Sequence, residues 1–230
     1  MFWMTAAALA RMKTMGRHVR FLAPVLVAFV CASAYSLQNL EAAEFSEVDL
    51  KTSRVYVLVD KTGLGHQHGV TGNLKSGSLT LGAKADAGQI VFDMPSFIAD
   101  TDAGRKYVGL EGQKDANTQK KVTETMLSPN VLDVKKFPTA TFDIDSALQT
   151  EKKSSAGNPV YLLKGQFTLH GVANPLAIEA EVVAKRQSTQ VRGKFKVQQT
   201  KYGMKPYTTG LGTVGVADEL TIWGDLQLKP

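Results

Sequence analysis

Three histidines offer the most obvious ligating chemistry in the chain. His66 and His68 are two residues apart, which on an extended strand puts both rings on one face, and His170 could supply a third nitrogen to a metal. The nearby sequence completes no ligand set, because neither carboxylate nor thiol stands beside them. Gly65 and Gly69 instead suggest a bend in which polar rings satisfy backbone groups. The three are weak candidates, and no metal is expected. The carboxylate pairs Asp100/Asp102 and Asp143/Asp145 have the proximity needed for shared-proton chemistry. Acid/base work also needs an enclosure that pushes their pKa values apart, so both pairs are read as solvated loop and strand-face residues. Gly210-Leu211-Gly212-Thr213-Val214-Gly215 matches the G-x-G-x-x-G string of dinucleotide sites. It leads, however, into an alternating strand rather than a helix whose N-terminus would receive pyrophosphate, and reads as a rim loop. No G-x-S-x-G, H-E-x-x-H or P-loop occurs. No catalytic residue emerges, and the protein is read as a non-enzyme.

Charge and cysteine usage narrow the classes further. Residues 1–34 have the three parts of a secretory signal: cations at Arg11, Lys13, Arg17 and Arg20, the apolar run Phe21 to Val30, and small residues at Ala32-Ser33-Ala34. Cleavage is expected after Ala34, with a second site near Ala42 and Ala43, and the product is expected in a periplasm or secreted. Pro24 and the shortness of the run argue against a permanent membrane anchor. The sole cysteine, Cys31, lies in this leader after Val30, where a lipoprotein signal needs a small residue; the mature chain has no thiol chemistry. The chain has 27 Lys+Arg against 21 Asp+Glu. Four of those cations and no acid fall in the leader, which leaves 23 against 21, a formal +2. The remaining cations are interspersed with acids, so no nucleic-acid partner is expected.

The elements that must carry any site are strands. Val55, Val57 and Val59 alternate with Arg54, Tyr56 and Leu58, and Ile90, Phe92 and Met94 with Gln89, Val91 and Asp93. The same period of two runs through Leu163 to His170, Leu176 to Val182, Val191 to Val197 and Leu220 to Leu228. Turn residues stand at Lys75-Ser76-Gly77, Asp86-Ala87-Gly88, Ala156-Gly157-Asn158-Pro159 and Asn174-Pro175. Such short spacing makes neighbours antiparallel. The expectation is an all-β fold: one antiparallel, lipocalin-like barrel of about eight strands over residues 45–230, preceded by a short segment at 35–44. Closure hides the apolar face and removes the sheet edges. Alternation stops between residues 100 and 137. There Asp115 could cap one short helix from Ala116 to about Met126, with Val122 and Met126 a turn apart and Pro129 ending it, as a lid over one mouth. Inward parity selects Phe92, Phe142, Phe167, Leu169, Ile178, Phe195, Val197 and Ile222 as lining for an apolar tunnel, with Tyr202 and Tyr207 at its glycine-rich rim.

Four segments in order resemble signatures of the YceI-like family. They are Gly65-His66-Gln67-His68-Gly69-Val70-Thr71-Gly72, then Val131 to Phe142 (V-L-D-V-K-K-F-P-T-A-T-F), then Leu163 to Val172 (L-K-G-Q-F-T-L-H-G-V), then Gly215 to Ile222. The second and third are the specific ones. The resemblance implies an elongated barrel that encloses a polyisoprenoid or isoprenoid-quinone-like amphiphile, an exported protein, and binding by apolar contact without a cofactor or catalyst. Transient membrane contact and a monomer or homodimer are compatible with such cargo. The chain departs from the commoner pattern where Gln113 to Leu127 replaces an Arg-Asp-x-His-Leu stretch of the insertion. Two other readings compete: a secreted protein-interaction module without ligand, and a histidine-dependent metal-binding protein.

Overall fold

The structure, a computed structural model, describes residues 44–230. The leader with its expected cleavage, and residues 35–43, lie outside the described residues. Ten strands form one antiparallel sheet: β1 (Glu44–Glu47), β2 (Arg54–Gly63), β3 (His68–Leu81), β4 (Gly88–Ala99), β5 (Thr139–Lys153), β6 (Pro159–Leu169), β7 (Val172–Lys185), β8 (Ser188–Gln198), β9 (Thr208–Thr209) and β10 (Val214–Leu228). Eight of them, β2 to β8 and β10, pair in chain order and close into a ring where β10 meets β2. The ring lies within a compact unit spanning Glu41–Pro230.

Register turns alternation into an interior. Phe142 on β5 stands opposite Ile90 on β4 and Phe167 on β6, while Ile222 on β10 stands between Val57 on β2 and Phe195 on β8. Their shared parity points all of them inward. Two irregularities were not expected. Lys75-Ser76-Gly77 is no turn: β3 runs through it, with a register shift against β4 between Leu74 and Ser76. On β4 the inward parity of Phe92 and Met94 passes to Phe97 and Ala99, which are also buried. An odd number of extra residues in one strand has this effect, and the pairing with β3 shifts register between Ile98 opposite Thr71 and Asp93 opposite Asn73. The Phe97 ring then lies over Gly72, where a β-carbon would sit 2.4 Å from the ring. Asn174-Pro175 is likewise inside a strand, β7, paired with Phe167 and Gln166. The turn lies earlier, at His170-Gly171, both with positive φ (51° and 77°), as a two-residue hairpin loop that matches sheet twist requires.

The insertion between β4 and β5 holds two helices rather than the single one expected. α1 (Asp102–Tyr107) is too short to show a period; it is capped by Thr101, whose Oγ1 accepts from the Gly104 N–H at 3.0 Å. It packs on β3 by close backbone approach, since a β-carbon on Gly69 would lie 2.8 Å from Arg105 Cα and one on Gly104 2.5 Å from Thr71 Oγ1. Tyr107 fixes its end, stacked on Tyr56 at 3.7 Å between centroids and edge-on to Trp223. α2 (Ala116–Leu127) begins where expected, with the Asp115 carboxylate accepting from the N–H groups of Asn117 and Thr118. Its Val122 and Met126 pack on the core, and the Thr123 hydroxyl accepts from the Ala99 N–H at 3.1 Å.

The poles of the barrel differ. The connections β2–β3, β4–β5, β6–β7 and β8–β10 all emerge at one pole, together with the 3-10 turns Gln199–Tyr202 and Gly210–Gly212; α2 lies over the interior there, while α1 is laid against the outer face of β3 and β2. At the other pole Val48, Leu79 and Leu228 are almost wholly buried, and Val48 bridges to Leu228.

Candidate functional site: a two-chambered apolar cavity

The interior is not filled by side chains. A cavity of about 300 Å3 lies under the helical pole, walled by Val57, Val59, Val70, Met94, Phe97 and Leu220, and covered by Val122, Met126 and Leu132 of the insertion. Further along the barrel, toward the packed pole, a second chamber of about 50 Å3 is lined by Ile90, Ile144, Leu163, Ala180 and Leu226, among others. Val55, Phe92 and Ile222 border both and form the waist between them. Glycines widen the lower chamber: Gly193 and Gly224 present no side chain to it.

Of the eight lining residues picked by parity and the two tyrosines placed at the rim, eight border these spaces. Phe92 and Ile222 sit at the waist; Phe167, Leu169 and Tyr207 border the large chamber; Phe142, Ile178 and Phe195 border the small one. Val197 and Tyr202 border neither. Tyr202 is not at an open rim but 4% exposed, its ring edge-on to Phe167, which stands between it and Phe195. Parity passed over Phe97 and Ala99, whose inward position depends on the irregularity in β4. It also omitted Leu132, which no period marks.

Most of the wall is hydrocarbon, and its polar members gather at the helical pole: His68, Lys121, Thr125, Gln199 and Tyr207. His68 is held by a buried network. Its Nδ1 donates to Asp100 Oδ2 at 2.6 Å, while Asp100 Oδ1 accepts from Arg105 Nη1 at 2.9 Å and from the Gly69 N–H at 3.2 Å. The guanidinium is otherwise spent on carbonyls, Nε on Gly112 at 2.8 Å and Nη2 on Glu111. Asp100 therefore departs from the solvated reading, being 2% exposed, whereas Asp102 is exposed at the start of α1. Burial opposes ionisation of Asp100. The His68 hydrogen bond and charge, with Arg105 and the Gly69 N–H, outweigh it and hold the carboxyl below the usual carboxylate range. Asp143 and Asp145 do lie on the outer face, where Asp143 accepts from Gln89.

The histidines do not converge. His66 is exposed in the β2–β3 loop, His68 faces the cavity, and His170 occupies the β6–β7 turn with its ring against Phe137 at 4.3 Å between centroids. Among the described residues no three His, Cys, Asp or Glu side chains are grouped to hold a metal. The glycine string closes the β9–β10 hairpin as a rim loop.

Comparison with known proteins agrees with this architecture. Among solved structures, BcnA of Burkholderia cenocepacia superposes with a TM-score of 0.50 at 19% identity, covering 78% of this chain and 98% of that one. A polyisoprenoid-binding domain from Saccharophagus degradans, implicated in plant cell wall breakdown, superposes with a TM-score of 0.50 at 12% identity, covering 80% and 97%. These likenesses concern the fold. No curated protein sequence matches significantly. The YceI-like domain model matches residues 47–228, from β1 through to the last residue of β10, and the chain accordingly belongs to the YceI-like family.

Proposed function

We propose that this protein is exported and carries an amphiphile with a polyisoprenoid or isoprenoid-quinone-type chain in its barrel, without catalysing a reaction on it. The observation that carries this reading is the pair of apolar chambers one beyond the other along the barrel, with Val55, Phe92 and Ile222 in the wall of both and polar groups only toward one end. Such a shape suits a long, thin hydrocarbon with a polar head left near the helical pole. Each isoprene unit removes roughly 100 Å2 from water, worth about 2–3 kcal/mol gross at ~25 cal/mol per Å2. Several units offset the cost of ordering one chain with no polar contact along its length. The polyisoprenoid-binding domain among the structural neighbours and the family membership support the same reading.

Organic extraction and native mass spectrometry of the purified protein test it. A copurifying prenyl lipid, or stoichiometric uptake of an added polyprenol, is the expected result. A protein that comes out empty and takes up no polyprenol overturns it.

A further inference from the structure

Two Gly-Leu-Gly tips stand side by side at the helical pole. Gly63-Leu64-Gly65 follows β2 and Gly210-Leu211-Gly212 precedes β10. The pairing of β2 with β10 joins them: Gly63 stands opposite Val214, and the Leu64 N–H donates to the Thr213 carbonyl at 3.0 Å. Both leucines point into solvent, Leu64 79% exposed and Leu211 fully so. They are the two most exposed large apolar side chains among the described residues.

Their backbone shows that this exposure is built in. Gly63 has φ 56°, Gly210 57° and Gly212 86°, and Leu211 between the last two has φ 56°. A left-handed conformation is strained for a non-glycine residue, and nothing in the folded chain packs on the fully exposed Leu211 side chain to offset it. At the other tip a β-carbon on Gly65 would lie 2.3 Å from the Gly215 carbonyl oxygen, so only glycine allows the two loops to abut there.

Position and charge identify what the tips meet. They adjoin the mouth of the large chamber, since Tyr207 and Val216, flanking the second tip, both line it, and Tyr207 is itself 40% exposed. No carboxylate occurs from Lys61 to Ala85 or from Gln199 to Ala217, while Lys61, Lys201 and Lys205 are all exposed in or beside these loops. The flanking acids Asp60 and Asp218 are engaged, with Gln67 and with Thr200. The insertion across the mouth carries both signs. Apolar tips with Lys61, Lys201 and Lys205 beside them and carboxylates only at the margins, Asp60 and Asp218, are the combination that enters the interface of an anionic bilayer.

We propose that Leu64 and Leu211 insert into the surface of a membrane containing anionic lipid, seating the mouth of the cavity against the bilayer so that cargo passes without crossing water. This rests on the carrier reading and adds to it where the cargo is exchanged.

The test is co-sedimentation of residues 41–230, the compact unit that contains the whole ring, with vesicles of phosphatidylethanolamine and phosphatidylglycerol, compared with pure phosphatidylcholine. The wild type is expected to sediment with the anionic vesicles. Leu64→Ser with Leu211→Ser should lower partitioning at least about ten-fold, and Lys61→Gln with Lys205→Gln should remove the preference for anionic lipid. Both tips lie on the surface, so thermal unfolding should be unchanged. Unaltered sedimentation of the leucine variant, or a wild type that binds no vesicle, overturns the proposal. Polyprenol uptake, measured without vesicles, separates the two claims: if uptake is retained while sedimentation is absent, docking fails and the carrier stands. If no polyprenol is taken up, the carrier itself fails.

Discussion

The Asp100 carboxylate, 2.6 Å from Nδ1 of His68, ties the end of β4, where the insertion departs, to the first residue of β3 in the cavity wall. Arg105 of α1 completes the tie, so one buried ion pair holds helix, strand end and cavity wall together. Asp100→Ala would strand that guanidinium, and breaking one side of a buried pair costs about 3–5 kcal/mol. Urea unfolding should show the loss. Asp100→Asn, which keeps the shape and one acceptor, should cost less. Equal stability of wild type and Asp100→Ala would mean the network does not hold the insertion.

Acid should weaken the fold through specific carboxylates. Glu181 accepts from Asn158, Ser154 and Arg192, which together pull its pKa from 4.5 to about 2. A depressed folded-state pKa gives stability that is fully present above the unfolded value and lost as pH falls through the folded one. The Glu181 contribution should therefore be complete above about pH 4.5 and fade toward pH 2. Asp100 acts in the same direction. Urea midpoints should show Glu181→Gln less stable than wild type near neutrality and the two converging in acid. A constant gap across the range would count against the assignment.

Chamber size should set chain length. Ala180→Leu places a larger side chain in the lower chamber of about 50 Å3 and should shorten the longest polyprenol retained, at an overpacking cost of about 1–3 kcal/mol. Val59→Phe narrows the upper chamber and should weaken uptake of every chain length. Mass spectrometry after loading with a mixture of polyprenols distinguishes the two patterns. An unchanged length profile in Ala180→Leu would place the cargo elsewhere.

Glycine replacements separate contact from conformation. Gly104→Ala puts a methyl within 2.5 Å of Thr71 Oγ1 and 2.9 Å of the Gly69 carbonyl oxygen, and should destabilise by about 1–3 kcal/mol as α1 lifts from β3. Gly224→Ala, with nothing within 4 Å of the added carbon, should be tolerated. Thermal unfolding of both measures the contrast, and equal melting temperatures would refute close packing of α1.

The ring is legible in the sequence because β6, β7, β8 and β10 repeat apolar residues at every second position, which is enough to give a closed barrel its inside. The start of α2 was equally legible, since Asp115 is a local cap. Phe97 was not, because its inward direction follows from an irregularity that only pairing with β3 reveals. The burial of Asp100 is hidden from the sequence for a related reason. Its partners are His68, thirty-two residues earlier, and Arg105 on a helix of six residues, so nothing near it in sequence announces burial. Asn174-Pro175 looked like a turn by composition, yet the positive φ values that a two-residue hairpin requires were taken by His170 and Gly171.

The packing of Val48, Leu79 and Leu228 across one pole has a kinetic meaning for any cargo. A container shut at its base is loaded and emptied through a single door, so whichever end of a molecule goes in first must come out last. Collection and delivery then cannot overlap: donor and acceptor must take turns at the same face, and the time spent between them sets the throughput.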